Sequence, residues 1–295
     1  MARLLKGGPV AAARMEKLSV QIRQLNQYGV TPGLAIVRVG RREDDLSYER
    51  GATKRAESLG ITVKHISLPE NVAEDALVDI LHAVNGDETV HGCLLFRPLP
   101  AHLDTERIAN ALRPEKDIDA MTAVSMGGLL TRANIGFAPC TATACMEILH
   151  YYGIPLKGKK VAMIGKSAAV GLPTALLLMN EEATVSVCHI QTDPEDTKRF
   201  CREADIIISA AGCRRLIRAD HVREGQIMID VGINITPEGK ICGDVDFEQV
   251  EPIVAAITPV PGGVGAVTST VMSGHVVEAA CRMLEIPSAA AKEVF

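Results

Sequence analysis

The sequence contains no tryptophan, and aromatic residues make up only 3% of its 295 residues, so an aromatic ring in a ligand pocket is a scarce feature. The formal net charge is −5, which gives no overall basic surface for nucleic acid or an anionic membrane. No run reaches the roughly 18 apolar residues that span a bilayer. We therefore expect neither a nucleic-acid partner nor a membrane partner.

The cysteines also lack a pattern: all eight are scattered, without close pairs or metal-ligand spacing. With 47% hydrophobic residues, a chain of this length does not need a disulfide framework. The apolar residues at the N-terminus are interrupted by Lys6, Gly7, Gly8 and Pro9, and no cleavage site follows. We therefore expect a protein of the reducing cytoplasm, with no signal peptide and no metal site.

What the sequence does contain is a regular alternation of predicted strands and helices, which is typical of parallel sheets with crossover helices. The pattern predicts an α/β fold of two domains. Residues 1–138 form an N-terminal α/β domain, to which a C-terminal helix within 269–295 returns. Residues 139–268 form a Rossmann-type dinucleotide-binding domain.

The predicted elements follow from hydrophobic periodicity and from Gly and Pro positions. Helices are predicted at 9–28, 47–59, 73–85, 104–112, 143–152 and 269–284. Strands are predicted at 34–39, 62–67, 92–96, 160–164, 184–188, 206–209, 226–230 and 255–258. The Gly-rich segment 126–140 is predicted to be irregular, and TPVPGGVGAVT at 258–268 is predicted to be a loop.

A glycine turn follows the predicted strand at 160–164, in the segment VAMIGKSAAVGLP. Gly165 ends the strand and a helix opens near Val170, so backbone N–H groups point at one spot where a pyrophosphate is stabilised. Ser167 replaces the middle glycine of the usual GxGxxG pattern. The pattern alone therefore fits either nucleotide binding or a tight turn without a ligand.

The next predicted strand ends in CHIQT, without the Asp or Glu that often binds the ribose hydroxyls of NAD. Lys166 is suited to a 2′-phosphate, which favours NADP, or it is a solvated loop cation. His189 either contacts the nucleotide or is a strand-end histidine with a local partner. Ile190 offers the ribose neither charge nor a hydrogen bond. NAD and NADP both remain open as cofactors.

Longer segments carry a family resemblance from about residue 3 to residue 285. In chain order they are VGRREDDLSYERGATKRAESLGI, PEKDIDAMT, PCTATACMEIL, GKSAAVGLP, ATVSVCHIQT, ADIIISAAG, DVGIN, GDVDF and TPVPGGVGAVT. The sequence resembles the bifunctional methylenetetrahydrofolate dehydrogenase/methenyltetrahydrofolate cyclohydrolase family (the FolD type). GDVDF together with TPVPGGVG is the most specific part of the match.

The resemblance implies an enzyme that binds tetrahydrofolate one-carbon derivatives in a cleft between its domains. Such enzymes move a hydride from 5,10-methylenetetrahydrofolate to NAD(P)+, and then usually hydrolyse the methenyl product to 10-formyltetrahydrofolate. The family also implies a homodimer, paired through the nucleotide domains. Both reactions belong to one-carbon metabolism.

The resemblance also assigns roles to individual residues on the folate side. Tyr48 matches the tyrosine that stacks on the folate ring system; read alone, it is equally a tyrosine anchoring a helix to the core. Asp119 matches the carboxylate that hydrogen-bonds the pterin; read alone, it is a solvated aspartate at the end of a loop. Pro261, Gly262 and Gly263 match the loop that lines the folate and the nicotinamide.

On the nucleotide side, Gly165, Lys166, Ser167 and His189 match dinucleotide contacts, with Lys166 standing where arginine is usual. Ile190 follows in the same strand-end segment and is assigned to the cofactor-binding set. Ile233, within DVGIN, matches a backbone contact near the nicotinamide.

The helix that carries Tyr48 departs from the family pattern YVxxKxK. Here it reads YERGATK, so Ala52 occupies the position of the catalytic lysine and Lys54 matches the second lysine. On an α-helix, Lys54 lies roughly 240° and Arg50 roughly 200° round from Tyr48. Neither replaces the lost ammonium without a distortion, which Gly51 would permit. Lys54 is kept as a candidate catalytic residue because it matches a family position.

A second departure is Phe96, which stands in LFRPLP where the family motif VQLPLP has a glutamine. Ala120 replaces a family glycine, and Ala142 and Ala266 replace prolines. Hydride transfer depends chiefly on positioning, whereas cyclohydrolysis needs an activated water and a proton carrier such as lysine. The sequence therefore predicts a dehydrogenase whose cyclohydrolase is weak or absent, with Tyr48, Asp119 and Lys54 as candidate catalytic residues.

Three alternatives remain beside this prediction. The first is a fully bifunctional enzyme that recruits Lys54 or Arg50. The second is a non-catalytic relative that binds folate or nucleotide, which the retained dinucleotide turn, Tyr48 and Asp119 together disfavour. The third is a nicotinamide-dependent dehydrogenase retargeted to another substrate by Phe96 and Ala120.

Overall fold

The computed structural model describes residues 1–285. Its strands are β1 (Arg3–Leu4), β2 (Gly33–Val39), β3 (Thr62–Leu68), β4 (Gly92–Leu95), β5 (Lys160–Ile164), β6 (Thr184–Cys188), β7 (Ile206–Ser209), β8 (Ile227–Asp230), β9 (Asn234–Ile235), β10 (Ile241–Cys242) and β11 (Ala256–Ile257). Its helices are α1 (Gly7–Gln27), α2 (Glu43–Ser58), α3 (Glu74–Gly86), α4 (Thr105–Ala111), α5 (Ala123–Thr131), α6 (Cys140–Tyr151), α7 (Gly171–Asn180), α8 (Pro194–Glu203), α9 (Phe247–Val250) and α10 (Gly265–Met283).

The chain divides into two compact units. The six-strand unit comprises Met1–Ala12 and Thr141–Thr268, and the three-strand unit comprises Ala13–Cys140 and the described residues from Ser269 onward. The sequence placed residues 1–12 in the other domain, but β1 pairs in parallel with β11. A strand of two residues has no periodicity to read, so only tertiary pairing reveals it. Residues 286–295 of the predicted C-terminal segment lie outside the described residues.

The main sheet of the six-strand unit is entirely parallel, in the order β1-β11-β8-β7-β5-β6. Strands β9 and β10 of the same unit form a separate antiparallel pair. Every residue of β7 is buried, as expected for a parallel strand covered on both faces. The chain passes from β5 to β6 on one side and then to β7 on the other. This reversal makes the carboxyl ends of β5 and β7 the switch point at which such sheets bind ligands.

Asp244, from the GDVDF motif, is completely buried in this unit and binds the loop after β7. Its carboxylate accepts hydrogen bonds from the Ser209 hydroxyl, from the Asn234 amide and from the backbone N–H groups of Ala211, Gly212 and Cys213. A single carboxylate thus satisfies five donors that the sheet leaves unpaired. The motif has a structural function at this position.

Asp230, at the end of β8, holds the neighbouring loops in the same way. Its carboxylate accepts backbone N–H groups of Gly232, Asp244 and Val245. Burial, together with the nearby Asp244 carboxylate, raises the pKa of Asp230 to about 6, although these hydrogen bonds oppose the rise. Because the pKa of Asp230 is raised in the folded protein, an ionised Asp230 lowers the free energy of unfolding at pH values above about 6. This loss is relieved as the pH falls from about 6 towards the ordinary pKa of an aspartate.

The three-strand unit contains a parallel sheet in the order β3-β2-β4. Strand β2 is central and buried at all of its residues. The core of the three-strand unit also includes apolar side chains from α3, from α4 and from the segments next to these helices: Val72, Leu77, Leu81, Val84, Leu103, Ile108 and Leu112. In the part of the chain that the structure describes, no helix has the length and apolar character needed to cross a membrane.

The structure differs from the predicted secondary structure at three places that have a physical explanation. Helix α2 begins at Glu43 and not at residue 47, because three acidic residues in its first turn suit a helix N-terminus. Residues 126–140 were predicted to be irregular, but residues 126–131 belong to α5, whose N-cap Thr122 accepts the N–H of Ser125. The loop at 258–268 ends at Val264, since α10 begins at Gly265.

We predict that Asp244→Asn destabilises the six-strand unit by about 2–4 kcal/mol, because one amide nitrogen would face N–H or O–H donors inside a buried site. The measurement is the free energy of unfolding from urea denaturation. Asp196→Asn, at an exposed position on α8 with an ion pair to Arg199, is the control and should leave the midpoint unchanged. Equal losses in both variants would contradict the structural function of Asp244.

Candidate functional site

The residues predicted to contact a nucleotide all follow strands of the six-strand unit. Gly165, Lys166 and Ser167 follow β5, and His189 and Ile190 follow β6. Ile233 follows β8, and Pro261, Gly262 and Gly263 follow β11. Because the carboxyl ends of parallel strands meet at one edge of a sheet, these loops share that edge.

The turn after β5 requires glycine at two positions. Gly165 has φ 117°, and a Cβ there would overlap the carbonyl oxygen of Ala210 at the end of β7. A Cβ on Gly171 would overlap the carbonyl oxygen of Gly165. The Oγ of Ser167 accepts the N–H groups of Val170 and Gly171 at 3.2 and 3.4 Å. Ser167, the departure from GxGxxG, therefore caps the start of α7.

The segment after β6 is a tight turn with its own hydrogen bonds. His189 accepts the N–H of Gln191 through Nδ1 at 3.2 Å, and its own N–H donates to Thr192 Oγ1 at 2.9 Å. His189 therefore has local hydrogen-bond partners, which was one of the two alternatives that the sequence left open for this residue. Ile190 is 95% exposed and Lys166 is also exposed. An apolar side chain, Ile190, therefore stands at the end of β6, where a ribose-binding carboxylate is common.

The loop after β11 is held at both ends. Thr258 Oγ1 accepts the N–H of Asp230 at 2.7 Å, and the carbonyl oxygen of Gly262 accepts the N–H of Gly7 at 2.8 Å. A Cβ on Gly263 would lie 2.6 Å from the carbonyl oxygen of Pro259, so a side chain does not fit there. Ile233, on the loop after β8, is 69% exposed.

In the three-strand unit, a second cluster lies at the carboxyl end of β4. Phe96 follows this strand and is 9% exposed, and the Tyr48 ring packs edge-on against it with centroids 5.8 Å apart. Asp117 makes a parallel bridge with Cys93 of β4, so the chain through Asp119 runs beside the strand end. This arrangement brings Tyr48, Phe96 and Asp119 together.

The loop that carries Asp119 is held at the residues before it. The Asp117 carboxylate accepts the N–H groups of Met121 and Thr122 at 2.8 Å and the Ser125 hydroxyl at 2.7 Å. The carbonyl oxygen of Ile118 accepts His275 Nδ1–H at 2.8 Å, and burial lowers the pKa of His275 to about 3, which keeps this imidazole neutral. Asp119 therefore projects from a rigid loop.

The Asp119 side chain is 33% exposed and accepts the N–H of Cys140 at 2.8 Å through Oδ1. Burial raises its pKa, while this hydrogen bond and the charge of Arg97 act in the opposite direction. Tyr48 is 39% exposed, and desolvation, with Cys140 and Asp119 contributing, raises the pKa of its phenol. Tyr48 is consequently a neutral hydroxyl at any ordinary pH.

Helix α2 presents Asp45, Glu49, Ala52 and Ala56 as its buried face, at helical spacing. Ala52, which the sequence predicts to stand at the position of the family lysine, is 1% exposed. Lys54 is exposed and lines a surface cavity together with Arg38, Leu46, Glu49, Arg50, Thr53, Glu57 and His65. Neither Tyr48 nor Asp119 lines that cavity. The prediction of a catalytic Lys54 is therefore not supported, because the helix turns this side chain away from Tyr48.

The sequence reasoning missed Arg97, whose Nη2 lies 3.6 Å from Asp119 Oδ2. The signal was present in LFRPLP, where the residue after Phe96 is an arginine and the family motif has a leucine. Ala142 and Ala266, which replace family prolines, lie in the first turns of α6 and α10. Proline is readily accommodated in a helix's first turn, so these two replacements are conservative.

Together, the glycine turn at a switch point and the separate α/β unit with a fixed carboxylate define a two-unit α/β protein of the dinucleotide-binding class. Residues 139–284 match the family model described as tetrahydrofolate dehydrogenase/cyclohydrolase, NAD(P)-binding domain. Residues 5–119 match the catalytic domain of the same family. The chain belongs to the tetrahydrofolate dehydrogenase/cyclohydrolase family.

Similar proteins cover nearly the whole chain. The bifunctional protein FolD of Carboxydothermus hydrogenoformans is 46% identical over 96% of this chain and 99% of its own. The crystal structure of FolD from Campylobacter jejuni is 39% identical with a TM-score of 0.93, covering 96% and 100% of the two chains. FolD from Trypanosoma brucei, solved with NADP and an inhibitor, is 36% identical with a TM-score of 0.91, covering 96% and 98%.

Cysteines and metal ligands contribute nothing further to the site. All eight cysteines fall within the described residues and are free thiols. Across residues 1–285, His, Cys, Asp and Glu side chains form no group of three that would hold a metal ion.

We predict that Ala120→Gly stabilises the protein by about 0.5–1 kcal/mol, because Ala120 has φ 49°, a left-handed conformation that glycine adopts without a Cβ clash. Ala109→Gly, inside α4, is the control and should destabilise the protein by about 1 kcal/mol. Free energies of unfolding in urea report both effects. A loss of stability in both variants would contradict the strain at Ala120.

Proposed function

We propose that this protein oxidises 5,10-methylenetetrahydrofolate with NAD(P)+ and that its cyclohydrolase activity is weak or absent. The observation that carries the proposal is the composition of the Tyr48 cluster. It keeps an aromatic ring and a fixed carboxylate for the pterin, but has a buried methyl group and a phenyl ring at the positions of the family's lysine and glutamine.

Pterin binding is supported by the chemistry of Tyr48 and Asp119. A reduced pterin presents a ring face and a row of N–H donors, for which an aromatic ring and a carboxylate are complementary partners. Asp119 is held by the loop beneath it and by the N–H of Cys140, so little ordering is required when a ligand binds. These residues orient the substrate and leave its methylene carbon free to react.

The carboxyl edge of the six-strand unit fits a nicotinamide dinucleotide. Side chains are excluded at Gly165 and Gly171, so the backbone of the turn between β5 and α7 is open to close approach by a pyrophosphate. NAD(P)+, when bound, would accept the hydride. Lys166 is suited to the 2′-phosphate of NADP, whereas Ile190 adds no group that selects between the two nucleotides. Pro261 and Gly262 are proposed to line the nicotinamide.

Weak cyclohydrolase activity follows from the residues available for proton transfer. Ala52 and Phe96 have no ionisable group, and the raised pKa of Tyr48 keeps its phenol protonated, so Tyr48 is not available as a base and is a poor proton donor. Lys54 and Arg50 line the separate cavity on the other side of α2. A positioned acid or base typically contributes about 10²–10⁴-fold to such a step. Hydride transfer requires positioning and is spared.

A homodimer paired through the six-strand unit is part of the proposal. Strand β6 is an edge strand of the sheet and pairs only with β5 among the described strands. Its outer backbone groups are therefore available to a second copy of the chain.

The test measures the two reactions separately on the purified protein. Methylenetetrahydrofolate is added with NAD+ and then with NADP+, and nicotinamide reduction is followed by absorbance. Hydrolysis of methenyltetrahydrofolate is followed against its spontaneous rate. We expect reduction with at least one nucleotide and hydrolysis near the spontaneous rate. No reduction with either would indicate a non-catalytic relative, and rapid hydrolysis would indicate a bifunctional enzyme.

A restoration experiment tests the physical reason. Ala52→Lys combined with Phe96→Gln should raise cyclohydrolase at least about tenfold, because it returns a proton carrier and its polar partner to the Tyr48 face. Ser58→Lys, which adds an ammonium at the exposed end of α2, is the matched control and should have no effect. An unchanged rate in the folded double variant would mean that other parts of the cluster limit hydrolysis.

A further inference from the structure

Arg97 belongs to the Tyr48 cluster, but the proposed function gives it no role. Its Nη2 lies 3.6 Å from Asp119 Oδ2, and the two side chains are only 28% and 33% exposed. The chain on both sides of Arg97 is constrained: Phe96 is buried, and the carbonyl oxygen of Pro98 accepts Arg42 Nη1–H at 3.2 Å. The guanidinium therefore lies beside the carboxylate, at ion-pair distance and partly shielded from solvent.

The surroundings of Asp119 otherwise oppose its ionisation. Burial favours the neutral acid, and the Asp117 carboxylate acts in the same direction. The N–H of Cys140 and the charge of Arg97 favour the ionised form. The titratable or charged groups around this carboxylate are Tyr48 from α2, Arg97 after β4, Asp117 in its own loop and Cys140 from α6, with Arg14 and His275 adjoining Cys140.

We propose that Arg97 is a positioning residue that keeps Asp119 ionised and aims its carboxylate at the N–H donors of the pterin. The inference rests on the proposed function. An ionised carboxylate accepts hydrogen bonds on both oxygens, whereas a protonated one would turn an O–H towards N–H donors. Oδ1 is already engaged by Cys140, so Arg97 at Oδ2 determines how the remaining lone pairs face the ligand.

This role differs from that of the lysine that the family places on α2. Arginine stays protonated throughout the working pH range, so Arg97 supplies charge and geometry but transfers no proton. Its presence is consistent with a site that binds the pterin and performs hydride transfer while hydrolysing poorly.

The first experiment needs no ligand. The carboxyl carbon of Asp119 is followed by ¹³C NMR during a pH titration and assigned by its loss in Asp119→Asn. In Arg97→Leu the midpoint should move to higher pH, and Arg97→Lys should return it towards that of the unmodified protein. Arg113→Leu, which removes the partner of Glu115 at an exposed ion pair, is the control and should not move it. An unchanged midpoint in Arg97→Leu would overturn the proposal.

The second experiment measures KM and kcat for methylenetetrahydrofolate against pH. Arg97→Leu should raise KM roughly tenfold on the acid side, with a smaller effect as pH rises and with kcat little changed. Arg97→Lys should recover most of the loss. A fall in kcat that is equal at every pH would mark a merely structural role and overturn the proposal.

The experiments distinguish a failure of the proposed function from a failure of the role proposed for Arg97. If the unmodified protein reduces no nicotinamide, the proposed function fails, while the NMR titration still decides whether Arg97 controls Asp119. If nicotinamide is reduced but Arg97→Leu leaves both the titration and KM unchanged, the proposed function stands and the role of Arg97 is wrong.

Discussion

Buried aspartates that accept backbone N–H groups hold the loops of both units in place. Asp244 and Asp230 do so at the carboxyl edge of the six-strand sheet, and Asp117 does so beside the three-strand sheet. A parallel sheet leaves the N–H groups of these loops unpaired, and a carboxylate satisfies several of them at once. Asp119 and the residues proposed to contact the nucleotide project from loops of this kind, so their positions depend on carboxylates that need not touch a ligand.

This dependence changes how the motifs are interpreted. GDVDF is among the most specific parts of the family resemblance, yet in the structure Asp244 binds only groups of its own unit. In the turn after β5, Gly165 and Gly171 are likewise required by close backbone packing, because a Cβ at either position would overlap a carbonyl oxygen. A highly specific motif therefore identifies the family reliably without marking the residues that perform the chemistry.

The charges of the Tyr48 cluster come from loop residues and not from the buried face of α2. That face carries Ala52, and Phe96 packs against the tyrosine ring. The cation beside the Asp119 carboxylate is Arg97, after β4. A cation that pairs with Asp119 stabilises an anion beside a ligand, whereas a lysine on the helix face would also exchange protons. In the proposed function, this difference allows the site to bind the pterin while hydrolysing the methenyl product poorly.

The sequence by itself determined the α/β class, the strands β5, β6 and β7 to the residue, and the family, because apolar runs and glycine turns are local signals. Reasoning on helix geometry also indicated that Lys54 turns away from Tyr48. Only the tertiary structure decided that β1 joins the six-strand sheet, that residues 123–131 form a helix, and that Arg97 meets Asp119. The pairing of β1 and the contact of Arg97 with Asp119 depend on segments separated along the chain, whose interaction energies no local pattern records.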